Sequence, residues 1–140
     1  MRCADMMKTD VKCIAPDESV QEAACRMRDE NIGFLPVCQE SKEVEGTLTD
    51  RDIAIRVVAD GKAASTAASE AMTRDVVACS PEDDVEHAQE LMAQHRKSRI
   101  MCIDDDGRLM GVISLSDIAR RRGSDASETL RQVSGREAHA

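Results

Sequence analysis

Aromatic side chains are almost missing from this 140-residue chain: Phe34 is its one phenylalanine, and tryptophan and tyrosine are absent. The core therefore has to be built from Val, Ile, Leu, Met and Ala, with methionine as its adaptable part. Basic excess is lacking too. A formal net charge of −8 argues against general nucleic-acid binding, which needs a basic face to neutralise phosphates. No apolar run approaches the roughly 20 residues of a membrane span. The start, Met1-Arg2-Cys3-Ala4-Asp5-Met6-Met7, has no hydrophobic segment of the signal-peptide kind, so a cytoplasmic location is expected. C-x-x-C spacing is missing as well. The six cysteines give no support for structural zinc, and in a reducing compartment they are expected as small buried hydrophobes.

What the chain does contain is an internal repeat. Residues 7–56 align with 72–121 without a gap at an offset of 65 (72 − 7). Identical pairs include Met7/Met72, Pro16/Pro81, Val20/Val85, Ala23/Ala88, Met27/Met92, Gly46/Gly111 and Asp52/Asp117. They fall at structural punctuation, as duplication predicts.

Each copy opens with about one helical turn (4–9; 69–74) and a short extended piece (11–15; 76–80), closed by Pro16 or Pro81, since proline disfavours helix in the residue before it. A helix is expected next. Ser19 is its N-cap in copy one, with Glu22 at capping-box spacing, and Val20, Ala23, Ala24 and Met27 form one stripe. Asp84 caps the second copy, where Val85, Ala88, Leu91 and Met92 form the stripe. Two strands follow in each copy (34–38 and 44–49; 100–103 and 109–114), joined by short polar connections that fit hairpins. Asp104-Asp105-Asp106-Gly107 lacks the spaced ligands of a calcium loop and is expected to be one of those turns. A second helix starts at Thr49 or Ser114. Ile53, Ile55, Val57 and Val58 make the first of these apolar, and Asp60-Gly61 ends it. Arg120-Arg121-Arg122 ends the other, complementing its dipole.

The reading is two β-α-β-β-α repeats, residues 1–61 and 69–123, with a linker at 62–68 and a polar tail at 124–140. At most a short helix is expected in that tail, around 126–133. A three-stranded sheet with helices on one face leaves its other face bare, so the copies are expected to pack sheet to sheet with pseudo-twofold symmetry.

Both copies carry Gly, two strand residues, a hydroxyl residue, two spacers and Asp (Gly46 to Asp52; Gly111 to Asp117). Two readings stay open. A hydroxyl at a strand-to-helix junction, beside free backbone N–H groups, can meet a phosphate, and an acid one turn on can accept from a ribose. Thr49-x-x-Asp52 and Ser114-x-x-Asp117 also have capping-box spacing, which stabilises a helix start by about 1 kcal/mol with no ligand at all.

The order of elements, the pattern Pro-x-x-x-Val-x-x-Ala-x-x-x-Met and the ending G-h-h-[ST]-x-x-D resemble a pair of cystathionine β-synthase (CBS) domains, a Bateman module, over residues 4–122. The stretch Ile32–Val37 followed by Thr49–Ile53 is similar to the first copy in small stand-alone bacterial members. The resemblance implies an α/β fold and a regulatory module, not an enzyme, that needs no cofactor. It would bind an adenosine-containing ligand (AMP, ADP, ATP or S-adenosylmethionine) in the cleft between copies. Thr49 and Ser114 would meet phosphate, Asp52 and Asp117 the ribose, and strand residues such as Val37 and Cys102 the adenine. It also implies a homodimer and a separate effector protein, which the sequence does not identify.

The copies differ around the motif. Arg99 precedes the strand of copy two, with Arg96 and Lys97 close by, whereas copy one has Asn31, Ile32, Gly33 and Phe34. Copy two departs from the family pattern with Met101 in place of the proline (Pro36) and with Lys97. A functional site is therefore expected first at Ser114, Asp117 and Arg99. Cys13 and Cys38 lie on strands that pair in this fold, so a redox-sensitive bridge between them is open beside two packed thiols. The competing class is a ligand-free structural or redox-sensitive module acting through dimerisation. His87, His95 and His139 show no metal spacing, and no catalytic arrangement is visible.

Overall fold

The structure is a computed structural model that describes residues 1–122 together with Arg131 and Val133. The chain is α/β and divides into two compact units, and these are not the two sequence repeats. One unit joins Met1–Val11 to Val77 onward; the other is Lys12–Val76. The opening segment of each repeat thus packs on the body of the other repeat.

The unit of residues 12–76 contains α2 (Val20–Glu30), β1 (Phe34–Cys38), β2 (Val44–Thr49), α3 (Asp50–Ile53, continuing as a π-helical turn over Ala54–Val58) and α4 (Ala68–Ala71). In the other unit lie α1 (Cys3–Met6), β3 (Ala78–Cys79), α5 (Val85–His95), β4 (Arg99–Ile103), β5 (Leu109–Ser114) and α6 (Leu115–Arg122).

The exchange is symmetric to the residue. In one unit Arg2 bridges Asp84 and Lys8 bridges Val112; in the other Ala67 bridges Ser19 and Thr73 bridges Thr47. Adding 65 to Arg2 and Lys8, and subtracting it from Asp84 and Val112, converts one set into the other. The motif glycines stand under these crossings. A Cβ on Gly111 would lie 2.7 Å from Met7 Cγ and 2.8 Å from the Lys8 carbonyl oxygen, and on Gly46 2.6 Å from the Thr73 carbonyl oxygen. The first glycine of the motif is required by close backbone approach.

The expected helices form. Ser19 Oγ accepts from the Glu22 amide at 3.1 Å, and Asp84 Oδ1 from the Glu86 amide at 3.1 Å. Glu22 does not close the capping box; its carboxylate faces Arg26 at 3.6 Å. Val20, Ala23 and Met27, and equally Val85, Ala88 and Met92, are the buried stripes, while Ala24 is exposed. Both helices stop in the left-handed conformation, at Asn31 and at Arg96, each with φ 55°.

The sheets differ from expectation in one copy. β3, β4 and β5 make a three-stranded sheet, whereas β1 and β2 stand as a pair, with residues 11–15 adding only the parallel bridge Ile14↔Val37. The pairs Ala78↔Met101 and Cys79↔Cys102 build β3 onto β4. Pro36 stands where Met101 does and has no N–H for the additional rung. Met101 therefore makes the second sheet more regular, not less.

A further expectation is corrected. The apolar helix after Thr49 buries only Val57 in its π-turn, leaving Ile55 51 % and Val58 71 % exposed. In the tail, otherwise outside the described residues, Val133 is buried in the core of the unit that holds α5. Asp104 is a turn residue as expected: its Oδ1 accepts from the amides of Asp106 and Arg108, both at 2.9 Å.

Candidate functional site

β5 delivers Ser114 to the start of α6, and β4 runs antiparallel beside it with Arg99 directly opposite Ser114. Opposite residues of an antiparallel pair share a face of the sheet, so the guanidinium and the hydroxyl project to the same side. The Asp117 amide donates to Ser114 Oγ at 3.2 Å, which fixes the hydroxyl at the first turn of the helix. Asp117 is 8 % exposed and is the one buried charged residue among those described. Its Oδ1 is bound by Arg120 and lies 3.7 Å from Lys8 Nζ. Its Oδ2 is buried and has no hydrogen-bond partner.

Burial is the largest influence on the Asp117 carboxyl and opposes ionisation. The Ser114 hydrogen bond, Lys8 and Arg120 together outweigh it and hold the group below the ordinary carboxylate value. The carboxylate is therefore charged at neutral pH, with one oxygen tied to the protein. An unsatisfied buried acceptor costs about 1–3 kcal/mol, more when charged, and a vicinal diol is a donor that would satisfy it. Lys8 and Arg120 were missed by the sequence reading. Lys8 belongs to the exchanged segment, and local sequence accounts for Arg120 through the helix dipole alone.

The equivalent place in the other unit is built differently. The Asp52 amide donates to Thr49 Oγ1 at 3.0 Å and the Thr49 amide donates to Asp52 Oδ2 at 3.0 Å, a closed capping box. Thr73, the counterpart of Lys8, lies with its hydroxyl 3.4 Å from Asp52 Oδ1. Both carboxylate oxygens are engaged. Phe34 faces Thr49 where Arg99 faces Ser114, and the acid Asp50 packs over Gly33 where the other copy has the buried Leu115.

Val37 and Cys102, expected against a base, are both 0 % exposed and belong to the hydrophobic cores of their own units. Their shown contribution is packing. All six cysteines are free thiols. Cys13 is half-buried and hydrogen-bonded to the buried Cys38. That bond, with Lys42 and Arg26 nearby and burial opposing, lowers the Cys13 thiol from 9.0 to about 7. The same bond and burial push Cys38 up. His87 and His95 are exposed, and His139 lies outside the described residues.

The CBS domain family model matches the chain twice, over residues 3–59 and 68–124. The chain belongs to the CBS domain family. It is 36 % identical over 137 residues to the CBS domain-containing protein YhcV of Bacillus subtilis, with 96 % of each chain covered. Hypoxic response protein 1 of Mycobacterium tuberculosis is 33 % identical over 117 residues, 83 % of this chain and 81 % of the relative. A crystal structure of Hypoxic Response Protein I with two coordinated zinc ions superposes with TM-score 0.79 at 31 % identity, covering 86 % of this chain and 98 % of that one. The CBS domain pair of protein MJ0100, in complex with 5′-methylthioadenosine and S-adenosyl-L-methionine, superposes with TM-score 0.75 at 27 % identity (86 % and 94 % covered). Each CBS match begins at the exchanged segment, α1 or α4, so the family repeat follows the sequence and the compact unit does not. No helix among the described residues is long and apolar enough to cross a membrane.

Proposed function

We propose that this CBS pair is a cytoplasmic regulatory module, not a catalyst, that binds an adenosine-containing ligand at Ser114, Asp117 and Arg99. The observation that carries the reading is Asp117 Oδ2, buried and without a partner on a charged carboxylate. The two ribose hydroxyls would donate to Asp117, Ser114 would meet a phosphate or the polar end of an S-adenosyl group, and Arg99 would add positive charge. The complex of protein MJ0100 with two adenosine derivatives supports this ligand class. Thr49 and Asp52 act in this reading chiefly as a helix cap.

Calorimetry with AMP, ADP, ATP and S-adenosylmethionine tests it. Saturable binding that Asp117→Ala abolishes and Asp52→Ala leaves standing is the expected result; no binding to wild type by any of the four ends the proposal. A second reading, a ligand-free module acting as a homodimer, is favoured by Ile55 and Val58, which present apolar side chains to solvent. Light scattering of wild type and Val58→Glu checks the dimer, and a monomeric wild type would remove it. The effector protein would recognise whichever state the ligand stabilises.

A further inference from the structure

Cys3 on α1, Cys79 on β3 and Cys102 on β4 converge in the core of one unit. The Cys79 Sγ is 3.6 Å from that of Cys3 and 3.6 Å from that of Cys102, and all three sulfurs lie within 4.8 Å of one another. Their exposures are 0, 6 and 0 %. Sequence spacing gave no sign of this, because Cys3 and Cys79 are 76 positions apart and Cys79 and Cys102 are 23.

The internal symmetry shows what the fold itself requires there. The counterparts of Cys3, Cys79 and Cys102 are Ala68, Ile14 and Val37 (3 + 65, 79 − 65, 102 − 65), all buried in the core of the other unit. Hydrocarbon fills this place adequately. Three sulfurs in contact add a chemistry that packing does not call for.

We propose that Cys3, Cys79 and Cys102 form a binding site for a trivalent thiophilic ion of the arsenite or antimonite class, held by three sulfurs. Zinc fits poorly: its structural sites take four ligands, and no histidine, carboxylate or fourth cysteine joins the cluster among the described residues. Copper(I) has the softness for thiolates, but with three of them it leaves two net negative charges in a dry core, which is costly. A trivalent centre with three thiolates is neutral, and its lone pair takes the fourth position. A soft ion bound at about 2.3 Å spaces its sulfurs by roughly 3.5–4 Å, matching the two 3.6 Å separations at Cys79.

The step is a condensation: As(OH)3 and three S–H groups give As(S–Cys)3 and three waters. Three As–O and three S–H bonds break, three As–S and three O–H bonds form, and no electron changes hands. Burial, first among the causes, raises the Cys3 thiol to about 12, while the Cys102 hydrogen bond and burial raise Cys79. Both thiols therefore carry the protons that leave with hydroxide. Entry requires α1, four residues long, to lift from α5 and β5, a local opening of one short element. Binding then pins the segment that also carries Lys8.

The test is arsenite added to the reduced full-length protein without oxygen, read by native mass spectrometry, sulfur-to-arsenic charge-transfer absorption and X-ray absorption. One arsenic per chain with three sulfur neighbours and a raised melting temperature is expected. Cys3→Ala should weaken binding by more than the 10–100-fold that loss of an outer-shell partner costs. The variant Cys3→Ala/Cys79→Ile/Cys102→Val places the other unit's side chains here, so it should stay folded and lose the ion. Cys13→Ser should bind as wild type does. Failure of wild type to bind, retention by the triple variant, two sulfur neighbours instead of three, or stoichiometric zinc binding as tight as arsenite would each overturn the proposal.

Discussion

Asp52 and Asp117 hold the same place in the repeat, yet Asp52 engages both carboxylate oxygens with the protein and Asp117 only one. Thr49 and Thr73 take the oxygens of Asp52; Arg120 and Lys8 share Oδ1 of Asp117 and leave Oδ2 without a partner. One spacing thus yields a closed helix cap in one unit and an unsatisfied buried acceptor in the other.

Removing these two charges should therefore have opposite readouts. Asp117→Asn should weaken adenosine-ligand binding by about 10–100-fold, the worth of a charge-assisted hydrogen bond. Asp52→Asn should lower stability by about 1 kcal/mol, the value of a cap, with ligand affinity unchanged. Calorimetry and urea unfolding on the same samples check the pair.

The pH dependence of binding follows from the sign at Asp117. Its folded carboxyl is held below 3.8, so its stabilising charge is complete above the unfolded value and is lost only as pH falls through the folded one. Affinity for adenosine, a probe with no phosphate titrating near pH 6, should stay level from pH 8 down to pH 5. A decline already between pH 7 and 6 would mean that another group binds the ligand.

At Gly111 a methyl group would press on Met7 and on the Lys8 backbone. Gly111→Ala should lower stability by about 1–3 kcal/mol, as overpacking does, and should also weaken ligand binding by displacing Lys8. Gly46→Ala, against the Thr73 carbonyl, should destabilise by a similar amount and leave binding intact. Denaturant midpoints and calorimetry distinguish the two.

Arg96 adopts φ 55° at the end of α5, as Asn31 does at the end of α2. Asparagine tolerates this conformation better than a long side chain. Arg96→Asn should therefore stabilise by about 0.5–1 kcal/mol, seen as a higher melting temperature.

Cys13 should alkylate with half-maximal rate near pH 7, well below the ordinary 9.0, and Cys38 far more slowly. Mass-resolved iodoacetamide labelling across pH 6–9 checks the assignment, and Cys38→Ala should shift the Cys13 profile upward.

The sequence by itself determined the α/β class, the duplication, both capped helices, both hairpins and the strand-to-helix motif, because periodicity, proline and capping chemistry act over a few residues. Ser114, Arg99 and Asp117 were legible for the same reason, each lying close to its own strand end. Only the tertiary structure decided that Met1–Val11 packs with the second copy, since an exchange between two equivalent partners leaves no local trace. That exchange sets Lys8 beside Asp117, places backbone over Gly46 and Gly111 and carries Cys3 to Cys79 and Cys102. It also separated the two aspartates: a capping-box spacing states which atoms can meet, and long-range contacts decide which of them find a partner within the protein.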